Sequence, residues 1–200
     1  MNTRTRTLLA ALPLVAALGL AGCADSADDG GSMAGMDHGS STHSETAAAA
    51  TPADIMFVTM MIPHHEQAVE MADLVLAKDG VDPRVVAIAE RAQAAQAPEI
   101  ERMQGWLAEW GVDPGAAESG MDHGDGMMSE DDMTALEQAD GATAGRLFLE
   151  QMVVHHEGAV DMAAAALADA KDVDVRDLAQ QVIDDQTAEI AEMQQLADSL

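Results

Sequence analysis

The sequence predicts an all-α protein, a four-helix bundle assembled from two copies of one helical hairpin. Three observations predict it. The composition is 48% hydrophobic but only 2% aromatic, with no Tyr, so a core must come from Leu, Val, Ile, Met and Ala, which suit packed helices better than a β-sandwich. The segment Met61 to Ala72 recurs 91 positions later as Met152 to Ala163, and Gln96 to Gln104 recurs as Gln186 to Gln194. A repeat of this length is one supersecondary unit used twice, each copy needing the other to cover its apolar face. Helix start and stop signals then cut each copy into two long helices joined by a short link.

In chain order, residues 1–22 read as a lipoprotein signal peptide. Arg4 and Arg6 precede an apolar run from Leu8 to Leu20, and Leu20-Ala21-Gly22-Cys23 resembles a bacterial lipobox. That ending implies cleavage before Cys23 and lipid attachment to its thiol. The mature chain is then exported and lipid-anchored to the outer face of the cytoplasmic membrane or the cell envelope. Residues 23–50 hold almost no branched apolar side chain and are expected to form a disordered stalk.

The bundle is expected over 51–200. In repeat one, 51–110, Thr51 and Asp54 form a capping box with Pro52 at the first helical position, and the helix runs to about Lys78. Pro63 predicts a kink, because it removes a hydrogen bond mid-helix. Asp82-Pro83 opens the second helix, which Gly111 and Pro114 end after Trp110. An acidic Met/His linker, 111–128, follows. In repeat two, 129–200, Ser129 and Asp132 cap a short helix, Gly141 breaks it, the main helix covers about Thr143 to Ala170, and Asp174 caps the last.

Acidic residues outnumber basic ones 36 to 9, for a formal net charge of -27. Phosphate recognition needs clustered Lys and Arg, so a nucleic-acid partner is excluded, whereas cations are concentrated near such a surface. The single Cys excludes a disulfide framework and a Cys-based zinc site. That leaves fifteen Met and seven His as the unusual residues.

On a helical wheel Phe57, Met61, Ala68 and Met71 share a face with His64, and Phe148, Met152, Ala159 and Met162 share one with His155. His65 and His156 fall about 100° round, at the flank, and Glu66 and Glu157 point to solvent. The partner helices carry the stripes Gln96, Glu99, Ile100, Met103, Leu107 and Gln186, Glu189, Ile190, Met193. A carboxylate on such a stripe needs a partner, because burying an unpaired charge is costly. Methionine stripes are ordinary core material. Two inward histidines that arrive by duplication, each with Met three before and seven after, point instead to metal binding in a symmetric apolar cavity. The expected ligands are His64, His65, Met61, Met71, His155, His156, Met152 and Met162, with Glu99, Met103, Glu189 and Met193 behind them or as additional ligands. The tetrapeptide Met-Asp-His-Gly occurs at Met36 and again at Met121, so Met36, His38, Met121 and His123 form an auxiliary tail set. Di-iron bundles use Glu-x-x-His. Here Met61 and Met152 stand where that Glu would be, and thioethers favour Cu(I), with another transition metal remaining open.

The doubled Met-x-x-His-His-Glu-x-Ala-x-x-Met-Ala followed by Glu-Ile-x-x-Met resembles domain-of-unknown-function family 305, a family of bacterial secreted or surface proteins, over about Asp54 to Leu196. The resemblance implies a ferritin-like bundle of two hairpin repeats. It also implies copper binding and copper tolerance, transferred onto His64, His65, Met71, His155, His156 and Met162. Gly158 stands where the first copy has Gln67, so the halves differ chemically. The expected function is copper sequestration at the envelope, without catalysis. The partners are metal ions and, through the lipid alone, the membrane; nothing in the sequence identifies a protein partner. Two alternatives stay open, a ferritin-like metallo-oxidase using Glu99 and Glu189 with the histidines, and a non-metal surface scaffold or adhesion module.

Overall fold

The computed structural model describes residues 50–113 and 126–200. The signal peptide, Cys23, the stalk with Met36 and His38, and the linker residues Met121 and His123 lie outside the described residues. The described residues form five helices: α1 (Pro52–Leu76), α2 (Pro83–Trp110), α3 (Glu130–Gln138), α4 (Gly141–Asp169) and α5 (Val173–Ala197). Among the described residues there is no strand, and no helix is long and apolar enough to cross a membrane.

The capping arguments hold for α1, α2 and α3. Thr51 accepts from the Asp54 backbone while the Asp54 carboxylate accepts from the Thr51 backbone and hydroxyl, at 2.7 and 2.6 Å. Ser129 and Asp132 do the same at α3. Asp82 caps α2, which ends at Gly111. Pro63 lies inside a continuous α1.

Two boundaries differ from the sequence reading. Asp172, not Asp174, caps α5, its carboxylate accepting from the backbone of Asp174 and Val175. Gly141 does not end α3 but opens α4, with Asp140 as the cap. Its reason for being glycine is proximity: a Cβ there would run into the Asp79 carbonyl oxygen and come within 2.8 Å of the Gly80 carbonyl carbon.

The core has two halves. Phe57 and Met61 of α1 share one cluster with Ala159, Ala163 and Ala166 of α4, with Met103 and Leu107 of α2 and with Leu178 and Val182 of α5. Ala68 and Met71 share the other with Phe148 and Met152 of α4, Ile88 of α2 and Met193 of α5. This register runs α1 and α4 antiparallel, with His64 and His155 at the crossing. Burying each of these large apolar side chains contributes roughly 1.5–3 kcal/mol before entropy is subtracted. The α4–α5 turn is tied to the start of α1, because the second oxygen of Asp54 accepts from the backbone of Lys171 and Asp172 at 2.9 and 3.0 Å.

Symmetry between the halves ends at α3. Its Leu136 and Met133, with Met128 before it, pack with Leu74 and Leu147 over one half of the α1–α4 seam, and Gln151 donates to the Asp132 carbonyl. Nothing equivalent among the described residues covers the other half.

Candidate metal centre

The inward face predicted for α1 and α4 brings one imidazole from each to the bundle centre. The rings of His64 and His155 have centroids 3.7 Å apart and planes tilted by 40°. Both residues are buried, and none of their four ring nitrogens has a hydrogen-bond partner. Buried polar atoms are nearly always paired, and leaving one unpaired costs about 1–3 kcal/mol. Two facing rings with this deficit need an explanation beyond packing.

Burial drives both imidazoles to the neutral form. His64 is pushed down to about 3, first by desolvation and then by the neighbouring His65 and His156. His155 is lowered well below the usual histidine range by desolvation, then by His64, His156 and His65. The His64 backbone pulls weakly the other way without making a bond of hydrogen-bond geometry. A neutral imidazole keeps a free lone pair, which is the form a metal ion binds.

The carboxylates on the α2 and α5 stripes find their partners in the second histidine of each pair. His65 Nε2 lies 2.9 Å from Glu99 Oε2, and His156 Nε2 lies 2.7 Å from Glu189 Oε2. With an ionised carboxylate as acceptor, Nε2 carries the proton and Nδ1 the lone pair. Both Nδ1 atoms are buried and without a partner. This is how metal-binding histidines are commonly oriented, one nitrogen on a carboxylate and the other turned to the ion. The wheel places His65 and His156 at the flank, and they are fully enclosed there because α2 and α5 cover that flank and supply Glu99 and Glu189. Gln181, which the sequence did not single out, donates to the other oxygen of Glu99 at 2.9 Å. Gln96 and Gln186 are buried too, each with an unpartnered side-chain oxygen.

The methionines divide. Met61, Met71, Met103, Met152 and Met193 are completely buried. Met162, the repeat equivalent of Met71, is only half-buried and lines an open groove of about 250 Å³ with Met56, Phe57 and Met60. Wheel position is the same for Met71 and Met162, but α3 covers the seam near Met71 only.

The pair Gln67 and Gly158, unequal between the copies, has a joint role. The Gln67 amide clamps Met128, donating to its carbonyl at 3.0 Å and accepting from its N–H at 2.7 Å. Gly126 adopts φ 100°, and a Cβ on it would lie 2.8 Å from the Gly158 Cα. One copy supplies the clamp and the other supplies the room, so residues 126–128 lie against the seam beside the histidine crossing.

Among the described residues, no group of three or more His, Cys, Asp or Glu side chains is placed to hold a metal ion. The expected cavity is also filled at its centre, where the two rings touch. A donor set beyond His64 and His155 would draw on the Nδ1 atoms of His65 and His156 or on thioethers.

The family model described as "Domain of unknown function (DUF305)" matches residues 54–197. Among solved structures, a DUF305 fragment from Deinococcus radiodurans is 31% identical with a TM-score of 0.67, covering 76% of this chain and 100% of that one. A DUF305 protein from Streptomyces coelicolor is 30% identical with a TM-score of 0.68, covering 72% and 91%. CopM in its Cu(I)-bound form is 31% identical with a TM-score of 0.63, covering 73% and 96%; its Cu(II)-bound, Ag-bound and apo forms are matched as well. No curated relative matches the chain.

Proposed function

The chain belongs to the DUF305 family, and on this basis we propose that it binds and sequesters copper at the cell envelope, with Cu(I) favoured and without turning over a substrate. The observation that carries the reading is the set of orphaned nitrogens at the crossing: both nitrogens of His64 and His155, and Nδ1 of His65 and His156. The similarity to CopM, whose Cu(I)-bound, Cu(II)-bound and Ag-bound forms are among the matched structures, supports the choice of metal.

Each residue has a part that follows from its surroundings. His64 and His155 are held neutral by burial and offer lone pairs. Glu99 and Glu189 fix the tautomer and direction of His65 and His156. Met61 and Met152 sit one turn before His64 and His155 on the same inward faces and are fully buried, which supplies soft donors that need no deprotonation. A bound Cu(I) ion would supply the charge that these neutral donors lack. Burial excludes water from the site and so favours the reduced ion. Lipid attachment at Cys23 and the stalk that follows would set this bundle outside the cytoplasmic membrane, where the Met36, His38, Met121 and His123 set would offer auxiliary soft donors.

The test is competition for Cu(I) against a coloured chelator under anaerobic reducing conditions, comparing the full chain with the His64→Leu/His155→Leu variant. Stoichiometric withdrawal of Cu(I) that falls by one equivalent in the variant supports sequestration at the buried centre. Undiminished withdrawal by the variant overturns it, and turnover in Fe(II) oxidation would favour the metallo-oxidase instead.

A further inference from the structure

The half of the α1–α4 seam that no element among the described residues covers is lined by Met56, Met60 and Met162, with Phe57 as its floor and Asp169 at its rim. Met56 is 51% exposed, and Met60 and Met162 are half-buried. Met56 and Met60 are four residues apart on one helix and therefore lie on the same side of it, neighbours about 5–6 Å apart at Cβ. Met162 faces them from the antiparallel α4.

The repeat provides an internal comparison. At the equivalent positions in the covered half stand Leu147, Gln151 and Met71. Leu147 packs against the cluster that contains Leu136 of α3, Gln151 bonds to α3, and Met71 is completely buried. Where the seam is closed the chain uses Leu and Gln. Where it is open to solvent it uses thioethers at both of those positions, although Leu would fill an apolar groove equally well. Thioether sulfur is a soft, uncharged donor that selects Cu(I) and its analogue Ag(I) over the hard cations that a strongly acidic surface also attracts.

We propose that this groove is a second, surface-facing soft-metal site in which Met56, Met60 and Met162 take up one Cu(I) or Ag(I) ion. The assignment rests on the soft-metal reading of the buried centre and extends it outward along the same seam, since Met60 adjoins buried Met61. Asp169 lends negative charge at the rim, while Phe57 and Ala166 keep one wall dry.

The experiment follows methyl-labelled methionine resonances of the full chain during titration with Ag(I), with bound metal counted by equilibrium dialysis. The same titration is run on Met56→Leu/Met60→Leu/Met162→Leu, a volume-conserving change expected to preserve the helical spectrum, and on His64→Leu/His155→Leu. Saturable shifts of the Met56, Met60 and Met162 methyls, retained in the histidine variant, together with loss of one bound equivalent in the leucine variant, support the groove site. Metal uptake with those three methyls unmoved overturns it and leaves the buried centre standing. Methyl shifts accompanied by unchanged total uptake in the histidine variant uphold the groove and sink the buried centre. Absence of any uptake overturns both, and leaves the groove as a surface for an apolar partner.

Discussion

His64 and His155 face each other across the pseudo-symmetric crossing of α1 and α4 with ring centroids 3.7 Å apart, and neither ring makes a hydrogen bond. The pairing is costly in the metal-free chain, because four buried polar atoms gave up water for nothing. Replacing both partners of such a pair by apolar groups of similar size is often neutral or stabilising. The His64→Leu/His155→Leu variant is therefore expected to be at least as stable as the parent to urea, by up to about 2 kcal/mol, while losing the one equivalent of Cu(I) held at the buried centre. A variant that is both less stable and unchanged in metal binding would show that the histidines serve packing.

The same burial sets a pH dependence. The folded-state value of His64 is about 3 and that of His155 is also depressed, whereas the unfolded chain titrates near 6.5. Below 6.5 the unfolded state binds the more protons, so stability is fully present above that value and is lost as pH falls toward 3. Each histidine contributes a limiting slope of about 1.4 kcal/mol per pH unit. Urea midpoints measured at fixed points from pH 7 to pH 4 should fall steadily, and more gently in the double leucine variant.

Asp54 clips two segments together, its carboxylate serving Thr51 at the start of α1 and Lys171 and Asp172 in the α4–α5 turn. Burial alone would raise its pKa, but the hydrogen bonds from the Thr51 side chain and from the Asp172, Thr51 and Lys171 backbones outweigh it and hold the group below 3.8. This contribution is present above the unfolded carboxyl value and disappears as pH drops through the folded one. Asp54→Ala should cost about 1–3 kcal/mol, read as a lowered thermal midpoint at neutral pH, with the difference from the parent shrinking in strong acid.

Much of this arrangement is visible in the chain itself, and the rest fails to show for identifiable reasons. Wheel arithmetic put His64 and His155 inward because residue spacing alone decides which face a side chain takes. It puts His65 and His156 at the flank but says nothing of their burial, because a wheel knows one helix and that flank is covered by α2 and α5. Glu99 and Glu189 stood on the right stripe and visibly lacked a partner, so the missing step was to join two unsatisfied groups from the same hairpin. Met162 and Met71 are equivalent by repeat and unlike in burial, since among the described residues α3 has no counterpart beside Met162. The Gln67 and Gly158 difference was plain in the alignment of the repeats, but its meaning needed residues 126–128 in place. Asp172 and Asp174 both suit a helix start, and only the backbone distinguishes them.

Glu99 and Glu189 orient His65 and His156 from behind, so their removal should act through the ring nitrogens. Neutralising such a carboxylate commonly costs 10–100-fold in metal affinity. Glu99→Gln and Glu189→Gln are each expected to weaken Cu(I) binding by roughly that factor, measured by chelator competition, with far-ultraviolet spectra unchanged. Equal affinity in parent and variants would separate the carboxylates from the metal site and make their role purely structural.

The close approach of Gly126 to Gly158 tests the placement of the segment beside the seam. Gly126→Ala would put a methyl 2.8 Å from the Gly158 Cα at a positive φ, a combination that costs about 1–3 kcal/mol or detaches the segment from Gln67. Faster amide exchange at Met128, whose N–H is now held by Gln67 at 2.7 Å, is the expected readout, and unchanged exchange would contradict the docking.

The most direct measurement is the nitrogen spectrum of the histidine rings, recorded on the full chain before and after one equivalent of Ag(I). Occupation of the buried centre predicts neutral His64 and His155 rings in the free protein and selective movement of their resonances, with those of His65 and His156, on adding the ion. Tight uptake of silver with all four of these rings unmoved would contradict the account.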